Sequence, residues 1–391
     1  MTAFAIWGGV TGLLWLGVSI FGLYTALRFV RFKDLAPPEP ARYPRLSVVI
    51  AACNEEEHLE SALSSLLAQD YPDLEIVLVN DRSTDGTGRV VDALAARDAR
   101  ILPIHVAELP AHWLGKVHAV HRGTLKATGE FLLFTDADVH FKQGALRKAV
   151  AHVVERNLDH FVVAPELVAR NFWQEVAYNA FATGFMVGTR AVDVGREGSD
   201  AYVGVGAFNL VRRSAFDRTP GFEWLKMEVL DDVGLGLMLQ RAGAKGGFTI
   251  GLGEVEVEWY ASLRQMVRGL EKNAFGAYAM YQYPRLFAFL AFIAVVLPGP
   301  VVALAQPYWP VRAIGIAVVL VMLAAGLVLK QRTGRKIVPL LLGPLGFLVI
   351  AWTLIRSAYF CWKRGGIVWR GTLYPIAALR AGLRVRLGGR G

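Results

Sequence analysis

The stretch FLLFTDAD, Phe131 to Asp138, decides the fold predicted from this sequence. Its apolar run from Phe131 to Phe134 follows Gly129 and precedes acidic residues, a pattern typical of a short buried strand. If the extended conformation continued past the strand, Asp136 and Asp138 would point to the same side and share one hard cation, Mg²⁺ or Mn²⁺. An isolated Asp-x-Asp is more often an acidic turn. The rest of the chain has to distinguish the two interpretations.

Short apolar strands alternate with helical segments, which predicts an α/β fold with a largely parallel sheet covered by helices on both faces. The predicted strands are Leu46–Ala52, Leu74–Asp81, Ile101–Val106, the FLLF run and Phe161–Leu167. Helices are predicted after the first two strands, from Gly115 to Gly129, and from near Leu230. Ligands of such sheets bind at the carboxyl ends of the strands. The polar residues at these ends are Asn54, Glu55, Asp81, Asp136 and Asp138.

The composition indicates a membrane protein with a soluble middle. Hydrophobic residues make up 54% of the 391, and the charged residues concentrate between Arg28 and Arg285. The formal charge of +9 results from 42 Lys and Arg against 33 Asp and Glu, and much of the excess lies beside apolar segments. This placement predicts that the basic residues contact anionic lipid headgroups and that the protein has no nucleic acid partner. The two cysteines, Cys53 and Cys361, indicate neither a disulfide framework nor a zinc site.

One N-terminal segment and three C-terminal segments are long and apolar enough to span a membrane. Phe4–Leu27 has no charged residue, and about 24 helical residues reach about 36 Å, which exceeds a hydrocarbon core of about 30 Å. The basic residues after it predict that residue 28 onward is cytoplasmic and that the protein is a multi-pass protein of the inner membrane. The C-terminal candidates are Leu286–Gln306, Val311–Leu329 and Ile337–Phe360.

The number of C-terminal crossings stays open at this stage. The loop KQRTGRK and the tail after Cys361 are both basic, which favours the cytoplasm for both. Three complete crossings after the soluble domain would place the tail outside. A last segment that dips into the membrane and returns, interrupted at Gly343 and Pro344, would resolve the conflict.

The predicted domains follow from these segments. They are a transmembrane helix at 1–30, a Pro-rich linker at 31–44, a soluble α/β domain at 45–284 with an interfacial helix near 260–284, transmembrane helices at 285–362 and a basic cytoplasmic tail at 363–391. Within the soluble domain, the segment Phe172–Arg190 is apolar on nearly all sides. It is either a buried core helix or a surface that touches lipid or a lipid-borne substrate.

Four stretches carry a family resemblance: CNEEEHLESALSSLLAQDYPDLEIVLVNDRSTDGT, WLGKVHAVHRG, FTDAD and LDDVGLGLMLQRAG. In this order they resemble the motifs of family 2 glycosyltransferases, and in particular the membrane-anchored branch that glycosylates lipids. That branch includes ceramide glucosyltransferase-like, hopanoid-associated and carotenoid glycosyltransferases. The resemblance runs from about Leu46 to Asn273 and implies a GT-A domain, Rossmann-like with a mostly parallel sheet, between N- and C-terminal transmembrane helices.

The resemblance also implies roles for five residues in binding a nucleotide-sugar donor. Glu55 would lie near the nucleobase, and Asp81 would hold the base or the ribose. Lys116 would approach the diphosphate. Asp138 would be the direct ligand of a divalent cation, Mg²⁺ or Mn²⁺, with Asp136 near the ribose and the metal.

Further residues match the catalytic and acceptor motifs of the family. Asp232 matches the catalytic base, and Asp231 stands where Glu is commoner, so either carboxylate could do the work. Gln265 and Arg268 match part of a Gln-x-x-Arg-Trp motif and would contact the donor, but Gly269 replaces the Trp. This departure favours a lipid acceptor over a growing polysaccharide.

The resemblance implies that the protein transfers a sugar from a UDP-sugar donor to a hydroxyl of a membrane lipid, with inversion at the anomeric carbon. Two alternatives remain at this stage. A nucleotidyltransferase acting on a lipid or sugar phosphate would need a Gly-rich basic loop after the first strand, where this chain has the acidic run Glu55–Glu57. A non-catalytic membrane scaffold that retains the fold would bind no nucleotide.

Overall fold

The computed structural model describes residues 2–387, which divide into two compact units. The helical unit comprises residues 2–29, 169–187 and 260–362, and the sheet unit comprises residues 30–168, 188–259 and 363–387. Residues 363–387, for which the sequence predicts a basic tail, are therefore part of the sheet unit. The last four residues of that predicted tail, 388–391, lie outside the described residues.

Ten strands are present in the described part of the chain. In order they are β1 (Leu46–Ala52), β2 (Leu74–Asp81), β3 (Ile101–Val106), β4 (Phe131–Asp136), β5 (Val139–Phe141), β6 (His160–Leu167), β7 (Asn209–Arg212), β8 (Gly246–Val257), β9 (Gly366–Trp369) and β10 (Thr372–Pro375). The first eight form one sheet in the order β3-β2-β1-β4-β7-β6-β8-β5. The last two form an antiparallel hairpin.

The α-helices flank the sheet or belong to the helical unit. In order they are α1 (Ala3–Arg28), α2 (Leu59–Leu67), α3 (Thr87–Arg97), α4 (Gly115–Lys126), α5 (Ala145–Glu155), α6 (Phe172–Thr189), α7 (Arg213–Phe216), α8 (Asp231–Arg241), α9 (Leu263–Ala279), α10 (Tyr283–Val296), α11 (Gly299–Leu304), α12 (Trp309–Thr333), α13 (Ile337–Leu341), α14 (Gly343–Arg364) and α15 (Ile376–Gly382). Short 3₁₀ turns occur at Phe32–Asp34, Ala191–Asp193 and Gly221–Leu225.

The apolar runs in the sequence form the parallel half of the sheet. β1 lies between β2 and β4 and is parallel to both, and β3 is parallel to β2. Because both faces of a parallel sheet are covered, these strands need apolar residues on both sides. Val48, Val49, Ile76 and Val77 are accordingly fully buried. β1, β2 and β3 have the predicted bounds, and the predicted α/β fold with a mostly parallel sheet is confirmed.

Helix α4 ends at Lys126, not at Gly129 as the sequence suggests. The residues that follow it are held in an extended path by a buried polar cluster. Glu75 accepts hydrogen bonds from the Thr128 amide (2.8 Å) and the Thr128 hydroxyl (2.9 Å). The Ser47 hydroxyl accepts one from the Gly129 amide at 2.7 Å. Local helix propensity is therefore overridden by contacts to two neighbouring strands.

The acidic motif does not continue as a strand. β4 ends at Asp136, and Ala137 and Asp138 form a turn into β5. The expectation that strand alternation directs Asp136 and Asp138 to one side is therefore wrong. A turn brings the two carboxylates near each other instead, because it reverses the chain within a few residues.

The helical unit contains the candidate membrane spans. Within the described residues, four helical segments are long and apolar enough to cross a bilayer: Ala3–Arg28, Tyr283–Leu304, Trp309–Thr333 and Gly343–Arg364. The last begins at Gly343 because Ile337–Leu341 forms a separate short helix. Glycines let α1 approach its neighbours closely, since a Cβ at Gly12 would lie 3.0 Å from Ile314 Cγ2.

The close packing of α4 on the sheet generates a stability prediction. A Cβ at Gly123 would lie 2.6 Å from Val49 Cγ1 and 3.1 Å from Val79 Cγ2. Gly123→Val should therefore overpack this contact and lower the free energy of unfolding by about 1–3 kcal/mol. Thermal unfolding of the purified protein in detergent measures the effect. Leu125→Val, at an exposed position of the same helix, is the control; equal midpoints for the two variants would contradict the prediction.

Candidate active site

Lys116 joins the carboxylates of two different elements. It is the second residue of α4, and its Nζ lies 2.7 Å from Asp136 Oδ1 at the end of β4 and 3.7 Å from Asp231 Oδ2 at the start of α8. Burial lowers the pKa of Lys116, but the charges of Asp136, Asp231 and Asp232 outweigh burial and raise it. The ammonium group is therefore permanently protonated and holds these acids around it.

Asp232 is held by backbone amides and has a perturbed pKa. Its Oδ2 accepts a hydrogen bond from the Gly206 amide at 2.9 Å, and its Oδ1 accepts one from the Val233 amide at 2.8 Å. Burial and the charge of Asp231 raise the pKa of Asp232 to about 6, against the opposing charge of Lys116. A carboxylate with this pKa is ionised near neutral pH but more basic than an exposed one.

Gly206 sets the separation between two of the acids. Its carbonyl oxygen accepts a hydrogen bond from the Asp136 amide at 2.9 Å, and its amide binds Asp232. A Cβ at this position would lie 2.3 Å from Asp136 Oδ2. Only glycine allows this approach without displacing the carboxylate. Gly206 is not among the site residues predicted above. The Gly-rich stretch GVGAFNLV is the sequence feature that could have pointed to it.

Asp138, Asp136 and Glu55 form the acidic side of the site. Burial, together with the charges of Asp136 and Glu55, raises the pKa of Asp138 to about 6. A hard divalent cation would relieve this repulsion, and carboxylate oxygens are the ligands it prefers. Among the described residues, no group of three or more His, Cys, Asp or Glu side chains converges as a metal site. A cation bound by Asp138 and Asp136 would therefore complete its coordination with water or ligand oxygens.

Asp81 ends β2 and forms a bidentate pair with Arg82. Arg82 Nε and Nη2 donate to the two carboxylate oxygens at 2.8 and 2.9 Å. A Cβ at Gly115 would lie 2.6 Å from Asp81 Oδ2, so the start of α4 packs directly on this pair. Arg82 also donates to the Thr372 hydroxyl at 3.3 Å, which connects the pair to β10.

The β9–β10 hairpin brings the C-terminal region to the site. Its turn residues, Arg370 and Gly371, both have positive φ (48° and 79°), as a two-residue hairpin turn requires. Arg370 forms an ion pair with Glu55. The Tyr374 hydroxyl accepts a hydrogen bond from the Gly115 amide at 3.0 Å. Sequence reasoning missed Arg370, although IVWRGTLYP has apolar residues on both sides of an Arg-Gly turn.

Gln265 and Arg268 belong to the helical unit, whereas the other seven predicted site residues belong to the sheet unit. Gln265 takes part in the N-terminal capping of α9: its amide donates to Oγ of the N-cap residue Ser262 at 3.1 Å, and its side-chain oxygen accepts a hydrogen bond from the Ala261 amide at 2.6 Å. Arg268 lines a cavity of about 390 Å³. The residues that share this cavity are Leu263, Arg264, Val267, Trp352 and Arg356.

Residues 47–219 match the family model described as glycosyl transferase family 2. These residues therefore form a domain similar to those of glycosyltransferase family 2. The match covers the strands from β1 to β7, with Asp136, Asp138 and Gly206; α8, with Asp231 and Asp232, lies beyond its end.

Two curated proteins and one solved structure are similar to this glycosyltransferase domain. The uncharacterized glycosyltransferase EpsJ of Bacillus subtilis is 32% identical over 116 residues, 30% of this chain and 32% of its own length. The 4,4'-diaponeurosporenoate glycosyltransferase of Staphylococcus aureus is 25% identical over 195 residues, 49% of this chain and 50% of its own. The chain thus spans half or less of these relatives.

The structural match identifies the fold of the domain. The mannosyltransferase PcManGT from Pyrobaculum calidifontis, solved in complex with GDP-Man and Mn²⁺, superposes with a TM-score of 0.53 at 17% sequence identity. The superposition covers 91% of this chain and 98% of PcManGT. The sheet unit therefore has the GT-A fold that the sequence resemblance implies.

The raised pKa of Asp232 generates a prediction about stability and pH. Because its pKa rises from 3.8 unfolded to about 6 folded, the folded protein binds this proton more tightly, and stability is lost as pH rises between these values. Asp232→Asn removes this loss. We expect its free energy of unfolding at pH 7.5 to exceed that of the wild type by on the order of 2–3 kcal/mol, with no difference near pH 4.

Denaturant unfolding of both proteins at several pH values between 4 and 8 measures this difference. Asp92→Asn, at an exposed aspartate of α3, is the control and should show no gain that grows with pH. An Asp232→Asn variant that is less stable than the wild type throughout would contradict the expectation.

Proposed function

We propose that this protein is an inverting glycosyltransferase that moves a sugar from a nucleotide-sugar donor to a hydroxyl of a membrane lipid. The observation that carries the proposal is the cluster of Asp136, Asp231 and Asp232 around Lys116. It lies in a domain similar to those of glycosyltransferase family 2, at the carboxyl ends of parallel strands where ligands of such sheets bind.

The donor would bind along the acidic edge of the sheet. Asp81 and Glu55 would receive the nucleobase and ribose, and Lys116 would approach the diphosphate. Asp138, with Asp136, would hold a divalent cation, which neutralises the leaving diphosphate when it is bound. PcManGT, which shares the fold, is solved with GDP-Man and Mn²⁺, and this supports a nucleotide sugar and a divalent cation here. We propose UDP as the nucleotide.

Asp232 is the proposed catalytic base. Asp231 is occupied by Lys116 at 3.7 Å, whereas the Asp232 carboxylate is oriented by two backbone amides and has a pKa of about 6. A general base works best when its pKa lies near the operating pH. These observations favour Asp232 over Asp231, between which the sequence left the choice open.

The reaction would be a single displacement. The acceptor oxygen forms a bond to the anomeric carbon, its proton passes to Asp232, and the bond from that carbon to the phosphate oxygen breaks. The electron pair of that bond leaves with the nucleoside diphosphate. Lys116, which stays protonated, stabilises the charge on the departing group. Attack opposite the leaving group inverts the anomeric centre.

Arg370 is a second proposed cation for the donor. Its ion pair with Glu55 holds it at the side of the site where Glu55 and Asp138 interact. A guanidinium group binds phosphate oxygens with two parallel hydrogen bonds. We propose that it contacts the diphosphate once the donor occupies the site.

The lipid acceptor is proposed on independent grounds. Four helical segments in the described residues are apolar enough to span a membrane. A similar protein is named for glycosylating 4,4'-diaponeurosporenoate. Gly269 stands where polysaccharide-making members of the family have Trp, as the sequence resemblance indicates. We propose that the protein resides in the inner membrane with its sheet unit in the cytoplasm, because basic residues follow α1.

Release of UDP from UDP-sugars, measured with the protein in vesicles of membrane lipid extract, tests the function. We expect turnover that requires Mn²⁺ or Mg²⁺ and that Asp232→Asn lowers by about 10²–10⁴-fold, because the hydroxyl loses its proton acceptor. Asp92→Asn, an exposed aspartate outside the site, is the matched control. Full turnover in Asp232→Asn, or in EDTA, would refute the assigned roles; mass spectrometry of the lipids identifies the acceptor.

The role of Arg370 is tested by titrating UDP and uridine into the protein with Mn²⁺ and comparing dissociation constants. Arg370→Ala should weaken UDP binding about tenfold and leave uridine binding unchanged, because only UDP carries phosphates. Arg97→Ala removes another exposed arginine that pairs with a glutamate, Glu60 at 2.9 Å, and should affect neither ligand. Equal or tighter UDP binding by Arg370→Ala would show that Arg370 does not bind the diphosphate and only occupies Glu55 through their ion pair.

A further inference from the structure

The connectivity of the sheet unit limits the number of membrane crossings. The chain leaves the sheet unit at residue 260 and returns to it at residue 363. A folded polar domain lies on one side of a bilayer, so the intervening segment crosses an even number of times. Three candidate spans of the described residues lie in this segment: Tyr283–Leu304, Trp309–Thr333 and Gly343–Arg364. At most two of them cross.

The first half of α14 packs on a helix that does not cross. Both ends of α6 continue into the sheet unit, at residues 168 and 188. A Cβ at Gly346 of α14 would lie 2.6 Å from Ala180 Cβ and 2.7 Å from the Val176 carbonyl oxygen of α6. The two helices therefore approach backbone to backbone at Gly346, and α14 lies at the level of α6.

The second half of α14 packs on a charged helix. Ser357 Oγ accepts a hydrogen bond from the Phe275 amide of α9 at 3.0 Å, and Arg356 forms an ion pair with Glu271 at 3.1 Å. The charged residues of α9 are Arg264, Arg268, Glu271 and Lys272. Four charges are too costly for the hydrocarbon core. This part of α14 therefore shares the depth of a helix that lies near the headgroups.

The surface of α14 is divided lengthwise. Up to Trp362, its exposed residues are all apolar or aromatic and recur every three or four positions: Leu345, Leu348, Trp352, Ile355, Tyr359 and Trp362. The exposed charged residues Lys363 and Arg364 end the helix. The opposite, buried stripe contains small and polar residues such as Gly346, Thr353 and Ser357. Such a helix has one face for lipid, and its Trp and Tyr residues suit the membrane interface. The other two C-terminal spans have a mean hydropathy of 2.5, against 1.5 for α14.

The residues that line the cavity beside α14 also indicate a position near the lipid headgroups. Arg264, Arg268 and Arg356 line it together with Trp352. Guanidinium groups are unfavourable among acyl chains and favourable among anionic headgroup phosphates. Three neighbouring arginines therefore favour a position near the headgroup layer over one among the acyl chains.

We propose that α14 does not cross the membrane and lies in the interface of a single leaflet. Its exposed stripe contacts acyl chains, its buried stripe packs on α6 and α9, and the two C-terminal crossings are Tyr283–Leu304 and Trp309–Thr333. The residues on both sides of α14 are then on the same side of the bilayer. This inference is independent of the proposed transferase activity.

Nitroxide depth measurements in vesicles containing anionic lipid test the placement. Labels are attached at Leu345→Cys, Trp352→Cys and Tyr359→Cys in the full chain after replacement of Cys53 and Cys361 by alanine. The outer two positions are about 21 Å apart along a helix. An interfacial α14 gives three similar, shallow depths. A crossing α14 gives a deep label at 352 between two shallow ones, which overturns the proposal.

Labels at Ile316→Cys, Leu323→Cys and Lys330→Cys of α12 are the matched control. They are exposed positions with the same spacing, and a crossing α12 places the middle label deepest. A membrane-impermeant maleimide provides a second measurement on exposed residues outside α14's lipid stripe. Lys363→Cys should react from the same side as Glu39→Cys, and Tyr308→Cys from the opposite side. Reaction of positions 363 and 308 from one side would refute the proposal.

Discussion

The ion cluster around Lys116 is the interaction on which the site depends. An ammonium group that is largely withdrawn from water is unfavourable unless carboxylates surround it, and removing one partner leaves a poorly compensated charge. Asp136 and Asp231 come from β4 and α8, which are far apart in sequence, and Lys116 from α4. Three elements therefore have to meet at one point. The close contacts of Gly206 with Asp136 and Asp232 allow them to do so.

The same cluster explains why the site contains destabilising groups. Burial and neighbouring negative charges raise the pKa values of Asp138 and Asp232 to about 6, so both carboxylates are ionised at neutral pH at the expense of folding free energy. Perturbed acids of this kind are typical of catalytic and metal-binding sites. The stability lost here is supplied by the apolar strands beneath the site, where β1 and β2 are almost entirely buried.

The C-terminal region completes the sheet unit after the chain has passed through the helical unit. The hairpin delivers Arg370 to Glu55, and residues 384 and 385 donate their amides to Glu228 at 2.6 and 2.9 Å. Glu228 also accepts from the Leu230 amide at 3.0 Å, immediately before α8. A truncation after the last apolar helix would therefore remove contacts both to Glu55 and to the segment that leads into α8, which carries Asp232.

The sequence by itself determined the parallel strands and the apolar segments long enough to span a membrane, and it pointed to most acids of the candidate site. Runs such as Leu46–Ala52 encode their structure locally, through apolar residues and the turn residues at their ends. The order of motifs pointed to Asp81, Asp138 and Asp232. Only the tertiary structure decided that Arg370 reaches Glu55 and that α14 returns the chain to the sheet unit. These features depend on contacts between residues that are distant in the sequence. The local sequence around a charged side chain or an apolar helix does not specify which distant residues it contacts, so no local pattern encodes them.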